Sequence, residues 1–264
     1  MGGQLSMPIT DKATELSQGN GLCFAASGMQ GLRREMEDDH TVVTSLEDLA
    51  GHSFVAVYDG HGGDATAHIA APPATGLLKS IRAQPAWQKY AAAAAASPAA
   101  VDPGLLGPAL HAGFLEFDRG LTEKLIAAQG DASSGATAVC VVITPTHFVC
   151  ASVGDSRAVL ARGDGSCAAL SEDHKPSLPD EAARIKAAGG RVLMDRVDGS
   201  LAMSRALGGA TLHITSLPSL FDLTFGSAAD FDLKDDMVEQ WLQKVSPVPD
   251  IVIVKREATD EALM

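Results

Sequence analysis

Short apolar runs separated by turn residues dominate the chain. Ser53-Phe54-Val55-Ala56-Val57-Tyr58 is nearly all apolar and stops at Asp59-Gly60, which predicts a buried strand meeting a turn. Residues 22–26 and 41–43 predict shorter strands before it. Residues 136–144, 147–153 and 157–162 predict three more. Their connections, Pro145-Thr146 and Gly154-Asp155-Ser156, are so short that antiparallel neighbours are expected throughout. Residues 191–194 and 251–254 also read as strands, and a new apolar run is starting at 261–264.

Helical periodicity is confined to a few stretches. Residues 64–82 read as helical. Leu110, Phe114, Phe117, Leu121 and Leu125 recur at spacings of 4, 3, 4 and 4, an amphipathic stripe that predicts core packing with no ligand role. Pro179-Asp180-Glu181 opens a short helix with proline and an acidic first turn, and Gly189-Gly190 closes it. Residues 234–245 suggest another helix. The alanine- and proline-rich stretch 91–103 suggests a surface excursion or frayed helix, and 209–231 shows no clear period. Residues 1–20 read as a polar N-terminal arm, and residues 21–264 as one domain. Antiparallel strands flanked by helices argue for layered α+β structure over a Rossmann alternation.

Composition narrows the function. Of 264 residues, 46% are apolar, enough for a sizeable core, while 26 glycines and 5% aromatics suit a turn-rich mixed fold. The net charge of −13 argues against nucleic acid as a partner and suits hard divalent cations. Cys23, Cys140, Cys150 and Cys167 form no CxxC pair and no zinc spacing, which fits a reducing, cytoplasmic setting. No run is long and apolar enough to span a bilayer. Met1-Gly2-Gly3-Gln4-Leu5-Ser6 fits the pattern for N-myristoylation at Gly2, and also fits a plain frayed tail. One acyl chain would give weak membrane association only.

Three segments carry candidate chemistry. In Tyr58-Asp59-Gly60-His61-Gly62-Gly63, a buried strand delivers an aspartate beside glycines whose carbonyls a ligand can reach. Such a carboxylate and carbonyl make half a site for Mg²⁺ or Mn²⁺, with His61 placed to donate a proton. On its own the segment reads equally well as a hairpin-type turn with a chance histidine. Arg33-Arg34-Glu35-Met36-Glu37-Asp38-Asp39-His40 reads first as a solvated charge run. Because it lies between two strands, Arg33 could hold a phosphate while Glu37 holds metal. Gly154-Asp155-Ser156-Arg157-Ala158 approaches a nucleophile elbow, but the residues after it are β-like, so a serine nucleophile is excluded.

The ordered set of motifs resembles the metal-dependent protein phosphatases of type 2C. It comprises Gly28 to Arg33, Met36-Glu37-Asp38, Tyr58-Asp59-Gly60-His61-Gly62, Ser134-Gly135-Ala136-Thr137-Ala138, and Val153 to Arg157. Asp173-His174-Lys175-Pro176, Arg196 to Ala202 and Ser204-Arg205-Ala206-Leu207-Gly208 complete it. The resemblance implies a four-layer α-β-β-α sandwich of two antiparallel sheets flanked by helices, in a chain expected to be monomeric. It implies hydrolysis of phosphoserine and phosphothreonine esters on protein substrates by water activated between two Mg²⁺ or Mn²⁺ ions. Asp59 would bridge the ions, the Gly60 carbonyl and Glu37 would bind one of them, and Asp155 would serve a weaker third ion. Arg33 would grip the substrate phosphate and His61 would act as general acid. The family pattern also includes a second Asp-Gly segment and a later Asp-Asn segment with further ligands. Neither follows Pro249, so the sandwich and the site are expected to be incomplete at the C-terminus. The chain would then be part of a longer phosphatase, or a short regulatory form that binds phosphoproteins without turnover. Asp222, Asp230, Asp232, Asp235 and Asp236 lie in the unmatched stretch and receive no role.

Overall fold

The computed structural model describes residues 4–97, 100–128, 133–209, 234, 239–257 and 260–263. Gly2 and the five unmatched aspartates named above lie outside the described residues.

The chain opens with two strands, β1 (Ala13–Gly19) and β2 (Leu22–Gly28), that pair antiparallel as a hairpin. Asn20 and Gly21 turn it with φ of 53° and 75°, the left-handed pair that a two-residue hairpin turn requires. Seven residues of the expected polar arm 1–20 are therefore strand. β3 (Asp38–Val43) and β4 (Ser53–His61) follow, and β4 runs three residues beyond its apolar stretch.

Next come α1 (Ala65–Ala70), α2 (Leu77–Arg82), α3 (Pro85–Ala96), α4 (Leu106–Arg119) and α5 (Leu121–Ala127). The helix expected over 64–82 is broken in two, because Pro72 and Pro73 cannot supply backbone donors. Of the stretch 91–103, expected as a surface excursion or frayed helix, residues 91–96 are the second half of α3, a helix anchored by the buried Trp87, Tyr90 and Ala94. All five members of the predicted stripe are buried, divided between α4 and α5.

The remaining strands are β5 (Gly135–Ala136), β6 (Ala138–Ile143), β7 (His147–Val153), β8 (Val159–Arg162) and β9 (Cys167–Ala169). They are followed by α6 (Pro179–Ala187), β10 (Val192–Leu193), β11 (Arg196–Val197), β12 (Leu207–Gly208), β13 (Asp250–Lys255) and β14 (Asp260–Leu263). Among the described residues, 240–242 make a single 3₁₀ turn, not the helix expected across 234–245.

The main antiparallel sheet runs β12-β5-β4-β6-β7-β13, with β3 also paired to β4. Its two faces explain the unbroken apolar runs. Along β6, Ala138, Cys140 and Val142 join a core with α2, α3 and α4, while Val139, Val141 and Ile143 point the other way. That second face packs against Leu160, Leu170, Leu22 and Phe24, from the small β14-β8-β9 sheet and the hairpin. Antiparallel sheets stacked face to face and covered by helices are the α+β sandwich expected.

One sequence expectation fails usefully. β7 and β8 are not neighbours. β7 pairs with β6 and β13, whereas β8 pairs with β9 and β14. The Gly154-Asp155-Ser156 link carries the chain from one sheet to the other, and Gly154 turns it with φ of 94°. Loop length alone cannot separate a hairpin from a step between layers.

Candidate active site

β3 and β4 end together, with Asp38 and Asp59 as register partners. The alternation of a half-buried strand would send Tyr58 inward and leave Asp59 at the rim. Tyr58 is indeed fully buried and Asp59 is half-buried. Immediately before β3, the Glu37 carbonyl accepts a hydrogen bond from the Gly60 N–H at 3.1 Å. Glu37 and Asp59 thus lie at the same end of the sheet. The Glu37 side chain takes two further contacts: Oε1 accepts from the Gly63 N–H at 2.9 Å, and Oε2 lies 3.4 Å from Arg33 Nη2. The Arg33 side chain is 68% exposed, so most of its guanidinium fork remains available to a ligand.

The electrostatics single out Asp59. Burial, then the negative charges of Asp38 and Asp155, push its carboxyl up to about 6, against a smaller opposing pull from Arg33. Asp155 itself is engaged by the ammonium of Lys175, which also lies 3.8 Å from Asp173. His61 is the last residue of β4 and the register partner of Gly135. A Cβ at Gly135 would clash with the imidazole, so glycine there is what lets the ring lie against the strand.

The structure therefore gathers the predicted residues at one end of the main sheet. Arg33 and Asp155 act on Asp59 through space, Gly60 and His61 follow it on β4, and Glu37 is bonded to Gly60 and Gly63 just beyond it. Among the described residues, no three His, Cys, Asp or Glu side chains already converge in metal-holding geometry. The donors nonetheless fit a hard divalent cation in kind. They are carboxylate and carbonyl oxygens, and the carboxylates repel one another in the absence of a counter-ion. Two residues acquire a role that sequence reasoning did not give them. Asp38 supplies the nearest negative charge, and its place beside Glu37 in the acidic run was the available signal. Lys175 pairs with Asp155, a contact across twenty residues with no sequence signature.

Comparison with known proteins gives the family and the fold. The family model described as protein phosphatase 2C matches residues 23–264. Protein phosphatase 1B of Mus musculus is 38% identical over 265 residues, covering 99% of this chain and 60% of the mouse protein. Human protein phosphatase 1A is 42% identical over 209 residues, covering 79% of this chain and 52% of the human protein. This chain thus spans between half and two thirds of the length of those relatives. The crystal structure of a serine-threonine phosphatase 2C from Toxoplasma gondii superposes with a TM-score of 0.63 at 20% identity. That superposition covers 98% of this chain and 79% of the Toxoplasma chain, and it supports the fold alone. With a family model matched from β2 onward, the ordered motifs and the sandwich all in agreement, this chain belongs to the protein phosphatase 2C family.

Proposed function

We propose that this chain hydrolyses phosphoserine and phosphothreonine esters on proteins, using divalent cations held at the tip of β4. The observation that carries the reading is the meeting of Asp59, its register partner Asp38, the Gly60 turn and Glu37 at one end of the main sheet, beside an exposed Arg33. Asp59, the Gly60 carbonyl and Glu37 would hold Mg²⁺ or Mn²⁺ at the Asp59 end, and Asp155 would contribute a more distant carboxylate. The cations, when bound, supply Lewis-acid polarisation of the phosphoryl group and of the attacking water. Arg33 neutralises charge on the phosphate oxygens through its exposed fork. Its Nη2 meets Glu37 at 3.4 Å, which leaves Nε and Nη1 for the phosphate. His61 would donate the proton that the departing serine or threonine oxygen needs. No covalent intermediate is required, consistent with the β-like surroundings of Ser156.

The test is release of phosphate from a phosphothreonine peptide with and without Mn²⁺. Mn²⁺-dependent turnover by the wild type, absent in Asp59→Asn, is expected. Turnover no higher than in that variant would contradict the reading. Retention of the peptide without turnover, abolished by Arg33→Ala, would favour a phosphoprotein-binding role instead. N-myristoylation at Gly2, with weak membrane association, completes the proposal, and intact mass measured after expression in eukaryotic cells tests it.

A further inference from the structure

Strands at the margin of a sheet carry unpaired backbone groups, and proteins usually blunt them with short length or polar side chains. β9 has three residues, β3 and β14 each carry two acids, and β1 has one large apolar residue, Leu16, among its seven. Among the described residues, β13 departs from this rule. It ends the main sheet, paired to β7, and no described strand pairs with its outer side. Its four central residues, Ile251-Val252-Ile253-Val254, are all β-branched and apolar. Ile251 packs toward the helical core, and Val252 and Val254 toward the second one. Ile253 is 39% exposed.

The phase of the ladder fixes what this margin offers. The Arg256 N–H donates to the Thr146 carbonyl at 2.8 Å, one residue beyond the β13–β7 register. On the β6 side of β7, the Thr144 N–H donates to the His147 carbonyl at 2.9 Å, which sets the same phase. Bonded and non-bonded pairs alternate along an antiparallel ladder. Asp250, Val252 and Val254 therefore aim their backbone groups at β7, while Ile251, Ile253 and Lys255 aim theirs outward. The outward set is self-complementary. A twofold axis normal to the sheet at Ile253 keeps each face continuous from one copy to the next. It sets Ile253 against Ile253 and Ile251 against Lys255, so all the outward backbone groups of these residues find partners. It also brings Val252 beside Val254, and Asp250 beside Arg256, an acid facing a base at both ends of the contact. The net charge of −13 opposes self-association in general, but along this margin the charges match.

We propose that the outer edge of β13 is a self-association surface, through which two copies join edge to edge into one continuous antiparallel sheet. This dimer takes the place of the monomer that the family resemblance implies, and it is independent of the cation reading. Asp250 is the register partner of Ser152, just before the Gly154-Asp155 link, so β13 begins at the end of the sheet where Asp59 lies. The twofold axis therefore puts the two candidate active sites at opposite ends of the joined sheet. One strand per copy buries little area, so the dimer is a weak one that forms at high concentration.

Sedimentation equilibrium of the full chain, from micromolar to near-millimolar concentration, reads the association directly. The mass is expected to rise from one copy toward two and to stop there. Ile253→Pro removes an outward N–H and none that β7 uses, so it should leave the chain folded. It should weaken association about 10-fold or more, because two hydrogen bonds at the axis are lost together. Charge gives a sharper test, because Ile253 meets itself. Ile253→Lys alone and Ile253→Glu alone set like charges face to face, and each should stay monomeric. Mixed in equal amounts they should associate again, which a chance apolar contact or a different register would not produce. A wild type at the mass of one copy throughout overturns the proposal. So does a mass that grows past two copies, association unchanged in either charge variant, or a mixture that stays monomeric. Should Ile253→Pro unfold, the two charge variants decide, since the position they alter is exposed.

Discussion

Asp59 and Glu181 are carboxylates withdrawn from solvent, and their surroundings drive them in opposite directions. At Asp59, burial raises the carboxyl and two further negative charges, Asp38 and Asp155, raise it more, to about 6. At Glu181, burial also pushes upward, but hydrogen bonds from Arg205 and Arg184 outweigh it and hold the group at about 2. The arginines lie 2.7 Å away, one on each carboxylate oxygen. Arg205 continues to Asp250, 2.7 Å away, whose carboxyl the His174 imidazole, 3.2 Å away, and the Arg205 charge hold at about 2. The chain compensates its acids where α6, the Ser204-Arg205 loop and β13 must be joined. At the tip of β4 carboxylates gather around Asp59 with Arg33 and Lys175 as their nearby cations, and Asp59 stays shifted upward. The first arrangement builds the fold, and the second is the one proposed to take up a ligand.

The largest effect should come from breaking the compensated group. Arg205→Ala strips Glu181 of one partner and Asp250 of another, and should cost about 3–5 kcal/mol in urea unfolding. A loss well under that range would mean the network is not what joins these elements. The same group predicts a pH dependence. Glu181 has a folded-state value below its ordinary one, so its contribution is fully present above pH 4.5 and is lost as pH falls from there toward 2. Stability of the metal-free chain should drop across that window by something on the order of 3 kcal/mol, and Glu181→Gln should flatten the drop.

Neutralising the other carboxylate should act with the opposite sign. Asp59→Asn relieves repulsion and is expected to stabilise the metal-free chain by about 1 kcal/mol in the same urea assay at pH 7. Destabilisation would show that Asp59 is structural, like Glu181. The smallest effect marks the edge of the comparison. Arg157 makes a bidentate pair with Asp173 at 2.6 and 2.9 Å, but its side chain is 68% exposed. Solvent screens such pairs, so Arg157→Ala should leave the melting temperature unchanged.

Much of this was legible in the amino-acid order where one local signal sufficed. The run ending at Tyr58 announced β4, and the stripe from Leu110 to Leu125 announced the helical face of the core. β1 escaped because Ala13–Gly19 has little apolar alternation and lies almost wholly exposed, although Asn20-Gly21 is a strong hairpin signal. α3 was read only in part, as a frayed helix or surface excursion, because its alanines conceal the two aromatic anchors, Trp87 and Tyr90, that dock it. The step from β7 to β8 was illegible in principle, since the same three residues can close a hairpin or cross between sheets. Within the site, motif and spacing pointed to Asp59, Glu37, Arg33, His61 and Asp155. They did not reveal that Lys175 meets Asp155, because that contact exists only once distant strands have paired.

The account stands or falls on whether the Asp59 end of β4 takes up a divalent cation. Calorimetric titration of the chain with Mn²⁺ should show saturable binding that Asp59→Asn abolishes while leaving the protein folded. Equal heats in wild type and variant, or none in either, would contradict it.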